Sequence, residues 1–127
     1  MSVNLLLDTR ALLWWLADDA GLSDEARASI GDPRRSVYVS AVTAWEITIK
    51  RALGKLDAPS DLGAAVSASG FQELPITMAH ALAAGQLPHN HSDPFDRMLV
   101  AQAMFEGLTL VTRDDRIASY SIPVIMA

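Results

Sequence analysis

The 127-residue chain is half apolar and carries 15 acidic against 10 basic residues, for a net charge of −5 at pH 7. Its length suits a single domain over residues 1–127, with enough apolar content to bury a core without covalent staples. The absence of cysteine excludes disulfides and thiolate-bound zinc, and every apolar run is shorter than the roughly 18–20 residues that span a bilayer.

Residues 3–7 read as a buried strand that ends at Asp8. The Leu5-Leu6-Leu7 run is not expected to be a secretory leader, because no basic segment precedes it and Asp8 and Arg10 interrupt it. A soluble cytoplasmic protein with no membrane partner is the expectation. Residues 11–17 form a helix that is apolar on almost every side, with Trp14 and Trp15 adjacent. Ser23 caps a second helix that Gly31-Asp32-Pro33 stops. Residues 36–40 are a second strand. Ser40 or Thr43 caps the helix that follows, which runs to about Leu53 and stops at Gly54. Residues 60–69 are helical, 71–74 a weak third strand, and 78–84 a helix capped by Thr77 and ended by Gly85.

Residues 87–92, with Pro88, His89, Asn90 and His91, form a loop. Asp93-Pro94 then opens the best-defined helix of the chain: an N-cap, a proline at the first helical position, and Gly107 beyond the last turn. Residues 109–112 are a strand, 115–120 a short helix and 122–126 a final strand. Strands alternating with helices imply an α/β fold, a central parallel sheet with helices on both faces.

The acidic balance argues against a nucleic-acid partner, which usually meets a basic face. The distribution softens this objection. Arg10, Lys50, Arg51, Lys55, Arg97, Arg113 and Arg116 all lie near acidic motifs, so a basic rim around an acidic centre is compatible with the global sign. Ordinary solvated charges are the alternative.

Four acids stand out by position. Asp8 ends the first strand, Glu46 lies in the helix after the second, Asp96 is in the first turn of the Asp93-Pro94 helix, and Asp114 follows the Thr109–Thr112 strand. In open parallel sheets, sites form beyond the carboxyl ends of the strands. Clustered carboxylates repel and take up protons unless a cation offsets them. An all-oxygen ligand set suits Mg²⁺ or Mn²⁺, and such a cation beside a phosphate hydrolyses phosphodiesters. Each acid also has an ordinary role open to it: Asp8 and Asp114 as turn residues, Asp93 as a pure N-cap, Asp96 as a partner of the helix dipole, Glu46 as an outward-facing helix residue. His89 and His91 are spaced as a metal pair could be, but without a wider histidine cluster they read as loop residues.

The segments Leu6-Leu7-Asp8-Thr9-Arg10-Ala11-Leu12, Ser40-Ala41-Val42-Thr43-Ala44-Trp45-Glu46-Ile47, Asp93-Pro94-Phe95-Asp96-Arg97-Met98-Leu99-Val100-Ala101-Gln102-Ala103 and Leu110-Val111-Thr112-Arg113-Asp114 together resemble the PIN-domain nucleases, specifically the VapC-type toxins of bacterial toxin–antitoxin pairs. They occur in the family's order and span nearly the whole chain. The resemblance implies a PIN-like fold and an endoribonuclease site of Asp8, Glu46, Asp96 and Asp114. Asp93 would be an accessory acid, Thr9 and Thr112 supporting hydroxyls, and Mg²⁺ or Mn²⁺ the cofactor. It further implies an RNA substrate and a small antitoxin that covers the site. A homodimer is also expected, and Trp14, Trp15 and Leu16 are the candidate antitoxin contacts, because two adjacent tryptophans are hard to bury together and tryptophan is enriched at binding hot spots.

Three rivals are weaker. A phosphatase with an aspartate nucleophile wants an acid two residues after the first, where Arg10 stands. A phospho-acceptor receiver wants a late lysine, and the last one is Lys55. A non-catalytic interaction module using the apolar N-terminal helix would not need all four acids.

Overall fold

The computed structural model describes residues 3–127. Five parallel strands, β1 (Leu5–Leu7), β2 (Val37–Ser40), β3 (Gln72–Leu74), β4 (Thr109–Thr112) and β5 (Val124–Met126), make one sheet in the order β3-β2-β1-β4-β5. Helices α1 (Thr9–Leu16), α2 (Asp24–Ile30), α3 (Ala41–Ala52), α4 (Leu62–Ala68), α5 (Met78–Gln86), α6 (Pro94–Glu106) and α7 (Asp115–Ala118) connect them. Among the described residues, no helix is long and apolar enough to cross a membrane.

The central strand explains why three consecutive leucines occur. Leu5 and Leu7 face one apolar cluster with Leu12, Ala26, Val37 and Val39, while Leu6 faces the other with Leu99, Val100 and Leu110. All three are fully buried, since a strand covered on both faces needs no polar alternation. From β1 the chain moves outward to β2 and β3, then returns to place β4 on the other side of β1. That reversal leaves a crevice beyond the carboxyl ends of β1 and β4. The Asp8 amide donates to the Val111 carbonyl at 3.0 Å, which ties the end of β1 to β4 at the crevice.

Helix ends follow local chemistry. Ser23 caps α2, and Asp93 caps α6 with Pro94 at its start. Gly107 ends α6 at φ 67°, a left-handed conformation that glycine adopts without a Cβ penalty. Of the two candidate caps for α3, Ser40 is the one used: its hydroxyl accepts from the Val42 amide.

Several expected boundaries move; α1, for example, runs Thr9–Leu16 rather than over residues 11–17. Helix α4 is capped by Asp61, whose carboxylate reaches the Ala64 amide, so it starts after residue 60. Helix α5 runs through Gly85 to Gln86 because Pro88 is the stronger stop: it forces Leu87 into an extended conformation (φ −63°, ψ 148°). Strands β1, β2, β3 and β5 each start one or two residues later than expected, and α7 stops at Ala118.

The loop between α5 and α6 is held from below. The Arg97 guanidinium donates to the carbonyls of Ala84 (2.8 Å), Leu87 (3.0 Å), Pro88 (3.0 Å) and His91 (3.3 Å). The planar fork of arginine suits several acceptors at once. Tyr120 donates its hydroxyl to the Pro88 carbonyl and accepts from the His91 amide. A segment without secondary structure thus has a fixed shape.

Candidate active site

Asp8, Glu46, Asp93, Asp96 and Asp114 line one cleft of about 600 Å³ at the carboxyl edge of the sheet. Three of them are helix caps. Asp8 accepts from the Ala11 amide through Oδ1, Asp93 from the Phe95 and Asp96 amides through Oδ1, and Asp114 from the Arg116 amide through Oδ1. Capping engages one carboxylate oxygen and fixes the rotamer, which leaves Oδ2 of each for other partners. The N-termini of α1 and α6 meet here, and their partial positive charge favours anionic groups.

Glu46 is not at a strand end. Helix α3 starts directly at Ser40, and little more than one turn later Glu46 faces the cleft, 5% exposed. The Thr9 hydroxyl donates to its Oε1 at 2.5 Å and the Lys50 ammonium to its Oε2. Lys50 lies four residues further along the helix, on the same face. This ion pair raises the Lys50 pKa, mainly through the hydrogen bond to Glu46.

Burial sets the charge state of the remaining acids. Asp8 is 7% exposed, and loss of solvent pushes its carboxyl above the usual range, despite hydrogen bonds from the Thr112 side chain and the Ala11 amide. Asp96 is pushed up to about 7, first by burial and then by the neighbouring Asp93 charge, with His91 pulling the other way. Asp114 goes in the opposite direction. Burial works against its charge, but hydrogen bonds from the Arg116 side chain, the Arg116 amide and His91 prevail and hold its carboxyl below the ordinary value. Thr112 is fully buried under the site, and its Oγ1 also accepts from the Asp114 amide.

Five basic residues, Arg10, Lys50, Lys55, Arg113 and Arg116, line the same cleft. Arg51 and Arg97 do not belong to this rim. Arg51 reaches the Pro59 carbonyl, and Arg97 is committed to the loop carbonyls. Trp14 lines the cleft, with the Arg113 guanidinium 4.5 Å and that of Arg10 5.7 Å from its ring centroid. Trp15 instead packs against Phe71, ring centroids 6.1 Å apart, and Leu16 lies against the same apolar cluster. Both Trp14 and Trp15 are half-buried; the exposed tryptophan is Trp45, at 60%.

The histidines divide three ways. His80 is fully buried, and His89 is exposed. His91, read from the sequence as a loop residue, is in the loop but belongs to the site. Its Nε2 lies 2.9 Å from Asp96 Oδ2 and 3.0 Å from Asp114 Oδ2. Sequence spacing gives no hint of this, because α6 and β4 separate His91 from Asp114. The Glu46–Lys50 pair was recoverable from its spacing of four on a helix.

The donor set fits a hard divalent cation. It consists of carboxylate oxygens with no thiol, and among the described residues neither Asp8 nor Asp93 has a basic side chain within ion-pair distance.

A family model for the PIN domain matches residues 5–123. Ribonuclease VapC22 of Mycobacterium tuberculosis is 31% identical over 128 residues, covering 94% of this chain and 94% of that protein. Among solved structures, VapBC2 from Rickettsia felis bound to a DNA fragment from its promoter aligns over 97% of this chain and 98% of its own, with TM-score 0.71 and 12% identity. DNA-bound VapBC from Salmonella typhimurium aligns over 97% of both chains, with TM-score 0.70 and 21% identity. At these identities the structural likeness establishes the fold.

The raised carboxyls make a stability prediction. An acid whose pKa is higher folded than unfolded contributes fully below its unfolded value and loses that contribution as pH rises from there to the folded value. Asp8 and Asp96 both have this sign, and Asp114, with the opposite sign, changes only at lower pH. The melting temperature of the metal-free protein is therefore expected to fall between about pH 4 and about pH 7. Added Mg²⁺ or Mn²⁺ at the upper end should restore it. Thermal denaturation with and without EDTA measures this, and a melting temperature that climbs steadily across that window contradicts it.

Proposed function

The chain belongs to the PIN-domain family, in its VapC-type group, and from that premise we propose that it is a divalent-metal-dependent endoribonuclease, the toxin of a toxin–antitoxin pair. The observation that carries the reading is the convergence of five carboxylates from separate stretches of chain on one cleft with a basic rim. In this reading Asp8, Glu46, Asp96 and Asp114 hold Mg²⁺ or Mn²⁺, with Asp93 as an accessory acid. Bound there, the cation supplies Lewis acidity to a phosphodiester and lowers the pKa of a water.

The chain's own residues do the rest. Thr9 and Lys50 fix the two oxygens of Glu46, and Thr112 underpins Asp8 and Asp114. Arg10 and Lys55 are the rim cations left to meet the phosphates flanking the scissile bond, since Arg113 donates to the Gly21 and Ala127 carbonyls and Arg116 to Asp114; together the four offset the repulsion between an acidic protein and RNA. Hydrolysis places a water oxygen on phosphorus and breaks the bond to the departing ribose oxygen, which takes up a proton. The ribonuclease name of the VapC22 relative supports RNA as the substrate.

Site variants separate the roles of the acids. Asp96→Asn keeps the shape and removes a ligand charge, so it should abolish RNA cleavage while leaving circular dichroism unchanged. Asp93→Asn should cost less, because asparagine caps a helix about as well as aspartate. Equal and complete loss in both variants would show that Asp93 is a full ligand.

The solved structures of like fold include toxin–antitoxin complexes, which supports a small antitoxin as partner. Its apolar side chains would pack on α1 near Trp14, Trp15 and Leu16, and a basic side chain would compete with the metal for the carboxylates. Trp14 is the best placed of the three because it alone lines the cleft. A homodimer belongs to the same reading, supported by the exposed Met78, Leu82 and Phe105 of α5 and α6. Sedimentation should find the free protein as a dimer. Trp14→Ala should weaken antitoxin binding by about 2 kcal/mol or more, the scale of a hot spot. Unchanged affinity with only a lower melting temperature would make Trp14 a packing residue, and a monomer at all concentrations would remove the dimer.

A further inference from the structure

His91 is 4% exposed and makes a hydrogen bond at every polar atom it has. Its amide donates to Tyr120 Oη at 3.2 Å and its carbonyl accepts from Arg97 Nη1 at 3.3 Å. Its ring Nδ1 accepts from the Asp93 amide at 3.2 Å, and its Nε2 meets Asp96 Oδ2 at 2.9 Å and Asp114 Oδ2 at 3.0 Å.

Taken by distance alone, His91, Asp96 and Asp114 form a three-ligand metal set, with one donor atom from each within 4.8 Å of the others. The hydrogen bonds argue otherwise. A backbone amide can only donate, so Nδ1 must present its lone pair to Asp93, and the ring proton must sit on Nε2. A nitrogen that bears a proton has no lone pair for a cation. What Nε2 can do is donate its one proton to Asp114 Oδ2, with Asp96 Oδ2 held 2.9 Å from the same nitrogen.

We infer that His91 is not a metal ligand but a positioning residue, a clamp whose Nε2–H is hydrogen-bonded to Asp114 and lies against Asp96, and so sets the separation of two carboxylates from different elements. This inference rests on the function proposed above for those acids. The clamp is a fixture of the fold, because Arg97 and Tyr120 hold the loop that carries it. The Asp93 amide sets the tautomer from the residue that also caps α6, so the cap, the clamp and Asp96 form one connected unit. Outer hydrogen-bond partners of ligands typically change metal affinity by about tenfold to a hundredfold when removed.

Three measurements on the full chain test this. Long-range ¹H–¹⁵N NMR of the metal-free protein should show His91 with its proton on Nε2; a proton on Nδ1 overturns the clamp. Electron spin-echo spectroscopy of the Mn²⁺-loaded protein should show no histidine nitrogen bound directly to the ion, and a bound nitrogen overturns it equally. In Mn²⁺ titrations His91→Ala should bind about tenfold to a hundredfold more weakly. His91→Gln, whose amide nitrogen can take the place of Nε2, should recover most of the affinity. Wild-type affinity in a folded His91→Ala, or no recovery in a folded His91→Gln, counts against the clamp. Wild-type protein that binds no Mn²⁺ overturns the proposed function instead, and the NMR tautomer then decides the clamp alone.

Discussion

Repulsion between carboxylates is the constraint around which this end of the molecule is built. Asp96 and Asp114 oxygens lie within 4.8 Å of each other, and at an effective dielectric near 20 two full charges at that distance cost about 3–4 kcal/mol. An N-cap contributes about 1 kcal/mol, and a helix dipole adds a similar amount. Caps and dipoles can therefore place the acids but cannot cancel their repulsion. Three charged or polar contacts absorb part of the remainder: Lys50 on Glu46, Arg116 on Asp114, and His91 between Asp96 and Asp114. Asp8 has no basic side chain within ion-pair distance among the described residues and Asp96 has only His91, and these are the two acids of the cleft whose carboxyls shift upward. In the metal-free protein the imbalance appears as a raised proton affinity of these two acids. In the proposed enzyme a divalent cation answers it.

The same constraint explains the division of labour among the basic residues. An acidic protein that handles a polyanion needs its positive charge near the reaction, and five of the ten basic side chains line the cleft. Arg97 is adjacent in sequence to Asp96 yet turns away from the cleft to hold the loop. By fixing that loop it supports His91, and through His91 the two acids.

What the sequence revealed was mostly what local chemistry controls. Asp93-Pro94 with Gly107 marks both ends of α6, because capping, proline at the first position and a left-handed glycine are decided within a few residues. The unbroken Leu5-Leu6-Leu7 run signals a strand buried on both faces. The positions of Asp8 and Asp114 after strands made convergence on one edge a topological expectation, since parallel strands bring their carboxyl ends together. What the sequence hid depends on tertiary contact. His91 and His89 look alike two residues apart, and only the path of the loop over Tyr120 and Arg97 turns one inward and leaves the other outside. The tryptophans differ for a related reason: Trp14 and Trp15 are half-covered against Arg113 and Phe71, whereas Trp45, beside Phe95, stays 60% exposed. At α5, Pro88 outweighed Gly85 because a proline restricts the residue before it, while glycine only permits a break.

In the proposed enzyme, divalent metal is held by Asp8 after β1, Glu46 of α3, Asp96 of α6 and Asp114 after β4. Anomalous diffraction from crystals soaked in Mn²⁺ tests it most directly. The account predicts a strong peak in the cleft, within ligand or one-water reach of Asp8, Glu46, Asp96 and Asp114, that vanishes in Asp96→Asn. A peak elsewhere on the molecule, or none in the cleft at saturating Mn²⁺, would contradict it.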